Sequence, residues 1–150
     1  MKPIEEEIKQ ATFKNTHQKA MLNIIYTSNW LENKHRVFFK AYGLTLQQFN
    51  ILRILKGQYP SKICGAEIKS RMLDQNSDVS RLLDRLIVKG LIVKSQCPND
   101  KRSDDVAISE KGLLLLQKIN KQLDRIDQTL SLLTKEEANQ LSLLLDKCRG

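Results

Sequence analysis

Two groups of side chains carry the chemistry needed to grip a polyanion. Gln75, Asn76, Ser77, Ser80 and Arg81 form one cluster, and Lys101 with Arg102 form the other. Carboxamides and hydroxyls can both donate to and accept from base edges. A guanidinium can bond a guanine edge or a phosphate with two parallel N–H groups, and an ammonium acts as a point charge on the backbone. Other chemistries have little to work with. There is no Ser-His-Asp order, no glycine-rich phosphate loop and no paired histidine ligands, so the chain is expected not to be an enzyme and to need no cofactor. The histidines, His17 and His35, are far apart, and Cys64, Cys97 and Cys148 form no C-x-x-C pair. That leaves no metal set, and an odd cysteine count does not suggest a disulfide framework.

The elements that must present the two clusters can be read from periodicity. Val79, Leu82, Leu83, Leu86 and Ile87 recur at i, i+3, i+4, i+7 and i+8, which predicts a helix from Asp78 to Lys89 with one apolar face. Ser77, Ser80, Arg81, Asp84 and Arg85 are expected on the opposite side; Val88 also lies there and interrupts the pattern. The run Asp74-Gln75-Asn76-Ser77 is turn-forming, and its short polar side chains suit a helix cap. A first helix is expected over Gly65 to Met72, with Ile68 and Met72 inward. Gly90 closes the second helix. Leu91-Ile92-Val93 and Val106-Ala107-Ile108 suit paired strands, and the tip between them, Pro98 to Asp104, brings Lys101 and Arg102 to a phosphate backbone or a narrow minor groove. An ordinary surface helix shows the same spacing, and a basic loop alone is usually just solvated. It is their succession that points to duplex DNA. The helix start also offers free amides to a phosphate.

The order helix, turn, helix, hairpin is a winged helix-turn-helix. The fold class is mostly α with a small β-hairpin wing, an α+β arrangement of six helices. Before it, residues 1–15 form a short charged lead-in, and a long helix is expected from His17 to Ala41, opened by Asn15-Thr16 and closed at Gly43. Thr45 and Gln48 form a capping box for a helix carrying Phe49, Leu52, Ile54 and Leu55 inward. By analogy with other winged helices, Ile63 forms a short strand against the wing. Ser109 is expected to cap a second long helix over residues 110–132, and Thr134 with Glu137 a last one to about Lys147. The long helices carry more apolar stripe than a chain of 150 residues can cover, which predicts a two-fold homodimer. The chain is expected to be one domain, with residues 1–43 and 110–150 as dimerisation helices around a DNA-binding lobe at 44–109.

The net charge of +8 favours a polyanion but does not choose between nucleic acid and an anionic membrane. No apolar run approaches the roughly 20 residues that span a bilayer. The acidic start, Met1-Lys2-Pro3-Ile4-Glu5-Glu6-Glu7, lacks the apolar core of a signal peptide, so the expected location is cytoplasmic.

The chain resembles the MarR family of bacterial transcription regulators over nearly its whole length. The residues that carry the likeness are Leu44-Thr45 with Phe49 and Leu52, Leu82-Leu83-Asp84-Arg85-Leu86, Lys89-Gly90-Leu91-Ile92, the wing run Asp100-Lys101-Arg102, and Ile108-Ser109-Glu110-Lys111-Gly112. No single motif is decisive; their order and spacing make the match specific. The resemblance implies that Arg102 enters a minor groove and that Arg85 and Asp100 form a structural pair tying wing to recognition helix. The family usually has arginine where this chain has Lys101. A small-molecule effector pocket is implied between the dimer helices and the DNA-binding lobe, near Tyr26, Trp30, His35, Phe38 and Tyr42, although simple core and interface packing is the better account of these residues. The function expected is a homodimeric repressor of pseudo-palindromic operators, relieved by an effector. Two alternatives stand beside it: a thiol-based redox regulator acting through Cys97, and a winged-helix protein-interaction module without DNA binding. Thiol-sensing members carry a cysteine in or just before the first long helix, and this chain has none there.

Overall fold

The computed structural model describes residues 2–96 and 104–150. Among the described residues there are eight α-helices: α1 Ile4–Glu7, α2 Thr16–Lys40, α3 Leu46–Gln58, α4 Gly65–Ser70, α5 Val79–Val88, α6 Glu110–Asn120, α7 Asp124–Asp127 and α8 Lys135–Arg149. Three strands, β1 Ile63–Cys64, β2 Ile92–Gln96 and β3 Asp104–Ile108, form an antiparallel sheet in the order β1-β3-β2. The winged helix-turn-helix is therefore present, with Ile63 pairing Val106 as the analogy predicted and Ile92 pairing Ile108 across the wing. The short α1 is added to the six expected, and α7 is a separate piece of the helix expected over 110–132.

Capping explains where most of these helices begin. Asn15 accepts from the Gln18 amide at 2.8 Å, and Thr45 with Gln48 and Thr134 with Glu137 complete two capping boxes. One boundary differs from expectation. The helix predicted over 110–132 leaves α-geometry after Asn120, with no glycine or proline to cause it. Its hydrogen bonds slip to the tighter three-residue spacing: Gln122 to Ile119 at 2.8 Å and Ile126 to Leu123 at 2.7 Å, ending in a 3₁₀ turn at Gln128–Leu130. The chain still advances helically, so the apolar spacing that suggested one helix survives the slip.

The buried core runs from Phe39 to Ile119 and draws on α2's last turn, α3, α4, α5, the sheet and α6. Ile51, fully buried, belongs to it although the expected stripe of α3 passed it over. The two ends of the chain pack differently. Met21, Ile24, Ile25 and Trp30 of α2 are exposed, as are Leu141 and Leu144 of α8, which buries no residue. At the start of the chain, Ile4 is buried, Glu5 accepts from Lys19 and Glu7 accepts from Tyr26, which straps α1 along α2. No helix among the described residues is long and apolar enough to cross a membrane.

Candidate nucleic-acid interface

The turn between α4 and α5 is built from its own side chains. Asp74 accepts the Asn76 amide at 3.0 Å, Gln75 donates its carboxamide to the Met72 carbonyl at 2.8 Å, and the Ser77 amide closes on the Asp74 carbonyl at 3.2 Å. Asp78 then caps α5 by accepting from the Arg81 amide at 3.1 Å. Val79, Leu83 and Leu86 are buried beneath the helix, each stabilising the lobe by about 1.5–3 kcal/mol relative to exposure. With that face fixed, Ser80, Arg81, Asp84 and Arg85 stand in solvent. The carboxylate of Asp78 takes the Arg81 amide, so this amide at the start of α5, expected to be open to a phosphate, is already occupied.

Ser77 departs from the expected outward orientation. It is only 8% exposed, and its hydroxyl has no hydrogen-bond partner among the described residues. The closed turn draws this side chain in where α4 approaches α5; nearby, a Cβ on Gly65 would lie 3.9 Å from Leu83. Ser77 nevertheless contributes to the lining of a polar cleft of 590 Å³ that also gathers Asn76, Ser80, Lys69 of α4 and Lys94 of β2, together with Asp78 and Asp84. The structure thus brings together Asn76, Ser77 and Ser80, while Gln75 and Arg81 lie outside the cleft lining. Lys69 and Lys94 were missed from sequence. A basic residue directly after the apolar run Leu91-Ile92-Val93 was the available signal for Lys94. Cys97, Asp100, Lys101 and Arg102 lie outside the described residues, and with them the partner expected for Arg85.

A second cleft, of 820 Å³, separates α2 from the lobe. Glu32, Arg36 and Lys40 line it from one side, residues 43–48 form its floor, and Asp84, Arg85, Val88 and Lys89 close it. None of the five residues expected in an effector pocket lines either cleft. They divide instead along α2. Phe38 and Tyr42 pack on the core beside Phe39, with ring centroids 5.0 Å apart for Phe38–Phe39 and 5.4 Å for Phe38–Tyr42. His35 stacks on Phe39 at 6.3 Å, and burial holds its imidazole below the ordinary range, favouring the neutral form. Tyr26 and Trp30 stand further along the helix, the first donating to Glu7 at 2.8 Å and the second 5.7 Å beneath the Lys34 ammonium. One helix turn is about 5.4 Å, so the side chains from residue 26 to 42 are spread over several turns along α2 and its end.

Comparison with known proteins gives this arrangement its relatives. The model of the MarR family matches residues 44–103. The HTH-type transcriptional regulator YkoM of Bacillus subtilis is 34% identical over 109 residues, covering 72% of this chain and 70% of YkoM. A MarR transcription factor from Planctomyces limnophilus superposes with a TM-score of 0.71 at 27% identity, over 90% of this chain and 98% of that one. A mutant MarR of E. coli solved in complex with operator DNA superposes with a TM-score of 0.72 at 25% identity, over 84% of this chain and 91% of that one. The likeness holds in both sequence and fold, and the chain belongs to the MarR family of transcription regulators.

Proposed function

We propose that this regulator is a homodimer that binds pseudo-palindromic duplex DNA as a repressor, each protomer contributing α5 to a major groove and the β2–β3 wing to the flanking backbone. The observation that carries the reading is α5 itself: a capped helix with its leucines buried and Ser80, Arg81 and Arg85 outward beside a polar, lysine-flanked cleft. The operator complex of E. coli MarR supports the same use of the fold. Gln75, Asn76, Ser80 and Arg81 are the groove-facing set, with Ser77 buried at the turn behind them; Lys101 and Arg102 are the wing contacts, and Arg85 with Asp100 the pair that holds wing to helix. Residues 1–43 and 110–150 serve as the dimerisation helices, which accounts for the bare apolar faces of α2 and α8. A small-molecule effector seated between α2 and the lobe would relieve repression by shifting the separation of the recognition helices; the 820 Å³ cleft supports a seat there.

The test is selection of bound duplexes from a random pool, followed by titration of a recovered sequence at rising salt. Recovery of a palindrome with half-sites about one helical turn apart is expected, with affinity falling steeply as salt releases the advantage of displaced counterions. A pool that yields no shared sequence, or binding indifferent to salt, overturns the reading in favour of a protein-interaction module.

A further inference from the structure

We propose that Lys89 is a positioning residue whose ammonium bolts the C-terminal corner of the recognition helix to the corner where α2 turns into α3, and thereby sets the half-site spacing the dimer accepts. The inference rests on the reading of the chain as a dimeric duplex binder.

The two corners have the same construction. At the end of α2 the Leu44 amide reaches back to the Phe39 carbonyl at 3.2 Å and the Gly43 amide to Lys40 at 3.0 Å. At the end of α5 the Leu91 amide reaches Leu86 at 3.0 Å and the Gly90 amide reaches Ile87 at 2.8 Å. Each is a Schellman turn with its glycine at positive φ, +66° for Gly43 and +70° for Gly90. A Schellman turn satisfies carbonyls inside its own helix but leaves the glycine carbonyl for another partner. Lys89 supplies it: its Nζ donates to the Gly43 carbonyl and, at 3.2 Å, to Oε1 of the buried Gln48. That same oxygen accepts from the Thr45 amide at 3.1 Å, so the bolt engages the capping box that starts α3.

The far side of the corner is anchored as well. Lys111 of α6 donates to the Lys89 carbonyl at 2.8 Å, and Ser109 donates to the Gly90 carbonyl at 2.7 Å. Four helices therefore converge on one residue: α5, which faces the groove, α2 and α3 through the corner that joins them, and α6, which leads to α8 and its open apolar face. Apolar packing between α5 and α3 resists separation but tolerates sliding. Charge-assisted hydrogen bonds are directional and fix the angle. In a dimer joined through α2 and α8, a small rotation of α5 about its C-terminal corner displaces its groove-facing end, so the bolt governs the distance between the two recognition helices.

The experiment takes a palindrome recovered by the parent protein and varies the separation of its half-sites one base pair at a time. Lys89→Met keeps the length of the side chain without its donors; Lys89→Arg keeps donors and charge. The parent should prefer one separation. Lys89→Met should reduce that preference over neighbouring separations about tenfold, as expected for loss of a charge-assisted bond. Affinity for a single half-site should be unchanged, and Lys89→Arg should restore the preference. Should Lys89→Met fail to fold, Lys89→Leu, which likewise has no donor, gives the same comparison. Identical spacing profiles for parent and Lys89→Met, or failure of arginine to restore what methionine loses, overturn the proposal. A parent that binds duplex without any spacing preference overturns the dimer reading first, and this inference with it.

Discussion

Arg81 is the side chain at the candidate interface with the most specific demand on its partner. Its amide is committed to the Asp78 cap, which fixes the backbone beneath it, while the exposed guanidinium is free to meet a base edge with two donors. Ser80, with one hydroxyl on a short stem, offers an ambiguous hydrogen bond and reads less. Arg81→Ala is therefore expected to cost about 1–3 kcal/mol on the preferred duplex and much less on a scrambled one, narrowing the gap between them. Fluorescence anisotropy on the two duplexes checks this; an equal loss on both would make Arg81 a phosphate contact. Ser77 shows the limit of reading single residues in sequence. A serine in a polar turn looks outward, and only the closure of that turn on Asp74, with α4 lying close, buries it.

At the scale of elements, the junction of wing and α6 is the most tightly constrained place in the lobe. A Cβ on Gly112 would stand 2.3 Å from the Leu91 carbonyl oxygen and 2.7 Å from Ile108 Cγ1, inside contact distance of backbone on one side and a buried side chain on the other. The Ser109 hydroxyl accepts the Gly112 amide at 3.1 Å and donates to Gly90, so α6 cannot shift away without losing its cap. Gly112→Ala should thus destabilise the protein by on the order of 3 kcal/mol in chemical denaturation, against near neutrality for Gly57→Ala, where a Cβ meets nothing within 4 Å. Equal stabilities for the two variants would mean that α6 can move. The elements themselves were legible from period and capping boxes: α5 from Val79-Leu83-Leu86, although its cap is Asp78 rather than a residue of the run 74–77, and α3 and α8 from their capping boxes. The slip after Asn120 was not, because Leu123 and Ile126 keep the helical rhythm while the hydrogen bonds change beneath them. The lining of the cleft between α2 and the lobe was not legible for a related reason. Its lining comes from three separated segments, and the aromatic residues that drew attention along α2 are spent on the core or spread along the helix.

The whole molecule has a core at its centre and unsatisfied apolar faces at both chain ends. Scattered exposed leucines are ordinary; faces repeated along α2 and α8 are not. Met21, Ile24 and Ile25 share one region of α2, and Leu141 and Leu144 lie a turn apart on α8, so each helix offers a stripe rather than a single residue. A second copy of the same chain would cover both at once under two-fold symmetry, and the net charge of +8 per chain would then act on one duplex from two sides. Ile25→Glu and Leu144→Glu place a carboxylate in that contact while leaving the buried core untouched. Each should convert the dimer to monomer in sedimentation velocity, because an unpaired charge at a buried interface costs several kcal/mol. The monomers should keep the melting profile of the lobe and bind a single half-site as the parent does. Loss of simultaneous engagement should lower affinity for the full palindrome about 100-fold. Dimers that survive both substitutions would put the contact on another face, and monomers that still bind the full site at parental strength would remove two-fold engagement from the account of how this regulator holds DNA.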